Sequence, residues 1–460
     1  MHRDILQVVL VLILILFAVF APIIFSGYAE LDKAGIAGSY PAVAEHYLDA
    51  ARRLPWRDDL YELAGHAYYY AKEYTKADAA YQKALARDSL SAEGWVAWGD
   101  VQYLNNNAGR AAEIWEQALQ QKNPSDYLYS RLAQIYQENG DYPKAADSLQ
   151  RYMSGHSDDA SAHYRLGLLL TLSDSNAALS ELITASQLDP QLDPAVQTLR
   201  TALNLAALND TPSEQLVIIG RGLGLVNEWK LARAAFEEAV QADGKNAEAW
   251  AWLGEANQHI GEEGSEELDK ALSLNPNSST VRGLRGLYFQ RSGNYRQAQA
   301  EFQSAATIEP NNPTWYVSIG ETYSKLGDLI RALEAYQYAT TLVPDDAHYW
   351  RLLATFCAQN MVNLKDVGIP AAQHAVILSK DDPSSLDLLG WSLLLDARYD
   401  DAEKILLRAL ELDSQNASAH YHLALVYLQI EDRVSARAHL ILASDLGNLD
   451  ADSVLKRYFP

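Results

Sequence analysis

One pattern constrains this chain more than any other: a 34-residue unit that recurs eleven times. GDYPKAADSL (140–149), GNYRQAQAEF (293–302) and GDLIRALEAY (327–336) each follow a Gly with an Ala five residues on and a large residue nine on. Aligned on such stretches, the copies are 58–91, 92–125, 126–159, 160–192, 213–246, 247–278, 279–312, 313–346, 347–382, 383–416 and 417–450. Position 8 of the unit is always small, as in Gly65, Gly99, Ala133, Gly286 and Gly390. Position 27 is Ala in ten of eleven copies, Tyr152 being the departure, and position 24 is large, as in Tyr81, Trp115, Phe236, Phe302 and Leu406. Self-similarity at such a period points to a stacked array rather than several unlike domains.

Within each unit apolar residues recur at spacings of three and four, the helical period. Positions 4, 7, 8 and 11 make one helical face, as in Tyr316, Ile319, Gly320 and Tyr323. Positions 20, 24 and 27 make the facing stripe of a second helix, as in Ala332, Tyr336 and Ala339. Small residues at 8, 20 and 27 allow close backbone approach, and the large residues fill the holes between. Gly near position 15 supplies the positive φ that ends the first helix, and Pro near position 32 (Pro190, Pro276, Pro310, Pro344) precedes the next unit.

On these residues the chain resembles the tetratricopeptide repeat family. That resemblance implies an all-α fold, a right-handed α-α superhelix whose first helices line a concave surface used to hold peptides or partner helices. The expected organisation is an N-terminal transmembrane anchor (1–29), a capping half-repeat (30–57), four repeats (58–192), a single-helix joint (193–212), seven repeats (213–450) and a C-terminal cap (451–460). Terminal caps are needed because an inner apolar face would otherwise meet water. Two copies depart from the unit: 247–278 is short, with GEEGSEELDKAL at its turn, and 347–382 is long, with NMVNLKDVGIP.

The anchor is expected because Ile5 to Ala29 carries no charge and Val8 to Phe25 is apolar apart from Pro22. Twenty-one helical residues would span about 31 Å, the thickness of a hydrocarbon core. The flanking charges place the N-terminus in the cytoplasm and the repeats outside it. Acidic residues outnumber basic ones by 60 to 37, for a net charge of −23. Such a surface repels phosphate backbones, so nucleic acid is not an expected partner.

No cofactor, metal or catalytic site is expected, because each candidate falls into a repeat slot. The single cysteine, Cys357, excludes an intramolecular disulfide, and it occupies position 11, where other copies carry Tyr68, Phe289 or Tyr427. Gly220 of GRGLG is merely position 8, with no strand before it. His420 and His422 lie two apart, on different faces of a helix, and cannot share a metal.

The resemblance assigns positions 2, 5, 9, 12 and 13 to the concave groove. In the last two repeats these include Trp391, Leu394, Leu395, Tyr421, Leu425 and Leu428, an apolar set on a face expected to be wet. Either a partner docks there or the patch is internal packing, covered by the tail or by a second copy of the chain. In the first repeats, Glu62, His66, Tyr69, Tyr70, Asp100 and Tyr103 make an aromatic, mildly acidic groove suited to a basic or polar segment, or simply solvated surface. Family members that clamp a chaperone's terminal carboxylate use Lys and Asn at these slots, and the acidic residues here argue against that ligand.

The expected function is a non-enzymatic scaffold for protein or peptide partners, tethered to a membrane, in bacterial envelope assembly or secretion. The alternative is an accessory subunit of a membrane enzyme complex, such as those of cytochrome c maturation or lipopolysaccharide assembly. The latter family ends in a cysteine-rich metal knuckle that is missing here, and self-association stays open.

Overall fold

The computed structural model describes residues 2–459, with side chains at Leu10 and from Phe17 onward. Among the described residues there are 26 α-helices and no strand. The chain forms two compact units, residues 1–204 and 205–460. Within each, successive helices pair into hairpins that stack on the next pair.

The hairpin is built around position 8. A Cβ placed on Gly65 would lie 2.7 Å from the Tyr81 ring, and one on Gly286 would lie 2.5 Å from the Phe302 ring. The glycine is thus the hole into which the position-24 knob of the second helix fits. Tyr81 and Phe302 are fully buried as a result.

The turn between the two helices is equally regular. At position 15 the backbone is left-handed in Gly140, Gly293 and Gly327, and also in Lys72, Asn106, Asn227, Met361, Ala397 and Glu431. Gly tolerates this conformation, whereas Ala and Glu adopt it at a cost of about 1–2 kcal/mol. Hairpin packing therefore dictates the turn even where the local residue opposes it.

A third device ties one unit to the next. At position 4 a long polar side chain reaches back to the backbone carbonyl six residues earlier. Trp250 Nε1 donates to Gly244 O at 3.0 Å, Tyr316 Oη to Pro310 O at 3.1 Å and Trp350 Nε1 to Pro344 O at 2.8 Å. His163 Nε2 does the same to Ser157 O at 3.1 Å, and His420 Nε2 to Ser414 O at 3.3 Å. Each bond satisfies a loop carbonyl just before a helix begins.

The membrane anchor expected over residues 1–29, and the single-pass localisation built on it, are corrected here. Among the described residues no helix is long and apolar enough to cross a membrane. Residues 5–9 and 11–16 of the expected apolar segment have side chains outside the described residues. Past it, the helix His2–Ile36 packs on the helix Tyr40–Arg53 as an ordinary protein helix does. Gly27 lets it approach Leu54 closely. The nearly buried Glu30 pairs with Lys33 and Arg53 at 2.9 Å and with His46 at 2.7 Å. Hydrogen bonds from Lys33, Arg53 and His46 hold its carboxyl down at about 2.

Candidate functional site

Three first helices near the C-terminus, Ala347–Asn360, Pro383–Leu395 and Ala417–Gln429, line a groove of about 760 Å³. Every lining residue on them falls at position 2, 5, 6 or 9 of its repeat. These are His348, Arg351, Leu352 and Thr355; Ser384, Asp387, Leu388 and Trp391; and Ser418, Tyr421, His422 and Leu425. Asn448 and Asp450, at the start of the terminal helix Leu449–Tyr458, close one end. The periodicity explains the set. A stripe one turn apart runs through 2, then between 5 and 6, then 9, so both 5 and 6 flank its centre line.

The floor of the groove holds a buried polar pair. His422 Nδ1 donates to Asp387 Oδ1 at 2.7 Å, and each residue is more than nine-tenths buried. The Trp391 ring lies parallel to the His422 ring, with centroids 5.2 Å apart. Trp391 and Leu425 pack against the core beneath while staying partly exposed. Burial, with the charge of Asp450, pushes the Tyr421 hydroxyl up. Arg351 faces Asp382 at 3.4 Å.

Of the six apolar residues expected here, the structure brings Trp391, Tyr421 and Leu425 together in the groove. Leu394 is buried in the core at 9% exposure, Leu395 packs half-buried against that core, and Leu428 is half-buried outside the groove. Sequence reasoning missed His348, Arg351, Asp387 and His422. The signal for Arg351 and Asp387 was present, since both occupy position 5; His422 sits at position 6, which had not been counted as groove.

The face expected in the first repeats is knitted to itself. Glu62 is 9% exposed; it accepts from the Ser91 backbone N–H at 2.7 Å, from the Ser91 hydroxyl at 2.5 Å and from His66 Nε2 at 3.3 Å. Burial raises the Glu62 carboxyl, and the bonds from His66 and Ser91 outweigh this and hold it below the usual range. The Tyr81 hydroxyl donates to His66 Nδ1 at 3.0 Å. Asp100 takes a forked contact from Arg131 at 2.7 and 3.1 Å. Tyr103 donates to Glu138 at 2.6 Å and accepts from Gln134 at 2.8 Å. Tyr69 and Tyr70 have ring centroids 5.5 Å apart, and Tyr70 is 62% exposed. Of the carboxylates on this face, Glu62 is bonded within its own repeat and Asp100 to Arg131 of the next.

Cys357 is fully buried beside Gly368, and burial pushes its thiol up to about 11. His420 Nδ1 and His439 Nδ1 are 2.8 Å apart, whereas His422 points to Asp387. Among the described residues no group of three His, Cys, Asp or Glu side chains could hold a metal.

One tetratricopeptide repeat profile matches residues 63–127, 130–192, 226–279 and 388–444, more than half of the chain, and a second matches 289–355. The chain belongs to the tetratricopeptide repeat family. Proteins of this family are typically protein-interaction scaffolds. No curated protein sequence matches this tetratricopeptide repeat chain significantly. Among solved structures, yeast Tom70 is similar at 16% identity and a TM-score of 0.41, over 80% of this chain and 95% of that one. The Cut9 and Hcn1 hetero-tetramer of the APC/C is similar at 15% identity and a TM-score of 0.39, over 92% and 94%. YrrB, described as having an unusual peptide-binding site, is similar at 20% identity and a TM-score of 0.33, over 41% and 97%.

Proposed function

We propose that this chain is a non-enzymatic scaffold that docks a segment of a protein partner in the groove of its last repeats. The observation that carries this is the groove of about 760 Å³, walled by the partly exposed Trp391, Tyr421 and Leu425. A cavity of that size holds several side chains. An aromatic anchor over a buried, hydrogen-bonded floor is the arrangement in which binding energy concentrates. The role is positioning: a preformed surface holds clients together and raises their effective concentration.

Crosslinking in cells followed by purification tests this, with the Trp391→Ala/Leu425→Ala chain run beside the parent. The expected result is a partner in near-stoichiometric yield from the parent that is lost from the double variant, with thermal stability of the variant within a few degrees of the parent. Retention of the same partners by the double variant would overturn the groove as the docking site.

A further inference from the structure

The acceptors of this groove specify the kind of side chain it takes. Asp387 accepts the Nδ1–H of His422, so the lone pair of the neutral tautomer lies on Nε2. His422 lines the cavity, and Nε2 has no hydrogen-bond partner among the described residues. At the rim, the Asp450 backbone N–H is capped by Asn448, and its carboxylate makes no ion pair among the described residues. That carboxylate is nonetheless close enough to Tyr421 to raise its hydroxyl. The one Lys or Arg lining the groove, Arg351, faces Asp382. Two acceptors without a donor, one of them a carboxylate, and an aromatic wall remain.

We infer that the groove recognises a Lys or Arg side chain of the partner segment, seated between Tyr421 and Asp450, next to an apolar side chain on Trp391 and Leu425. This rests on the docking reading above. An ammonium or guanidinium is all donor, which suits His422 Nε2 and the Asp450 carboxylate. The Tyr421 and Trp391 rings add cation–π attraction. A net charge of −23 draws a basic segment in from a distance and repels an acidic one.

The test is panning of a random dodecapeptide phage library on the full chain, on Trp391→Ala and on Asp450→Asn, followed by fluorescence anisotropy with the enriched peptides. The expected outcome is enrichment of Lys or Arg beside an aliphatic or aromatic residue, with binding that weakens as salt rises. Changing that Lys or Arg to Gln should weaken binding at least 10-fold on the parent chain and much less on Asp450→Asn. Enrichment of acidic or uncharged peptides, or a Lys→Gln change without effect, overturns the cationic preference while Trp391-dependent binding leaves the docking reading standing. Peptides that bind Trp391→Ala as well as the parent, or no enrichment at all, overturn both.

Discussion

Position 9 of the repeat does opposite things in two regions of this molecule. In the first repeats, Asp100 at position 9 and Tyr103 at position 12 bond Arg131 and Glu138 of the next repeat, and Glu62 at position 5 bonds Ser91 at the end of its own, which closes the face with hydrogen bonds. In the last two, positions 2 and 9 carry Ser384, Ser418, Trp391 and Leu425, which are too short or too apolar to do so, and a groove stays open above the one bond that joins them, His422 to Asp387. One helical scaffold thus becomes either self-sealed or receptive according to side-chain reach at a few positions. Buried polar groups must be paired; exposed apolar ones have no such partner to seek within the chain, and that asymmetry separates structure from site.

The largest effect is expected from the shared core, where the two regions differ in what meets position 8. Gly65→Ala would press a methyl into the rigid, buried Tyr81 ring, whereas Gly390→Ala would meet the flexible Leu406 side chain. Both are overpacked, at about 1–3 kcal/mol, with Gly65→Ala at the upper end and Gly390→Ala at the lower. Urea unfolding followed by hydrogen exchange in each unit measures the order.

Next in size is Arg131→Ala. It leaves Asp100, mostly buried, without its forked partner. The expected loss is about 1–2 kcal/mol, reduced because Arg131 is itself partly exposed. Exchange protection should fall across Ala92–Leu104 and Tyr127–Glu138 and stay unchanged in the last repeats.

A smaller effect is set by pH. Two repeats pair a basic position 4 with an acid on the second helix: His163 with Glu181 at 2.6 Å, and Arg282 with Glu301 at 2.8 Å. In the last repeat His439 replaces that acid and faces His420. Burial first, and then the charge of His420, lower the His439 pKa. A lowered pKa means that the folded state binds the proton less readily than the unfolded chain. The stabilisation is therefore present above the unfolded value near 6.5 and is lost as pH falls below it. Exchange in Ala417–Asp445 should accelerate between pH 7 and pH 5, and His439→Glu should remove that acceleration.

The smallest effect concerns the turns. Ala397 and Glu431 hold the left-handed conformation that glycine fills elsewhere. Ala397→Gly should stabilise the second unit by about 0.5–1 kcal/mol, seen as a slightly higher urea midpoint with an unchanged slope.

Much of the fold was legible because the repeat averages out local accidents. Gly286 against Phe302 could be inferred from a small residue and a large one at constant offset. The left-handed turn could be inferred at Gly293 but not at Lys72 or Ala397, where packing overrides propensity. The site was only half legible. Trp391, Tyr421 and Leu425 stood out as apolar residues at groove positions, but Leu394 shares their chemistry and is core. Distinguishing them requires the helix rotation that stacking sets. Arg131 and His422 were missed because both sit at position 6, beside the counted stripe. The N-terminal segment misled for another reason: an uncharged run says nothing of the helix it will pack on, and Glu30 with Arg53 and His46 turns its continuation into a docked helix.

The most direct test of the contrast between the two faces is photocrosslinking from within each. Benzoylphenylalanine would replace Trp391 in one full-length chain and Tyr69 in another, with irradiation in cells. The account predicts a discrete adduct to a partner from position 391 and none from position 69. Adducts of equal yield from both, or from position 69 alone, would contradict it.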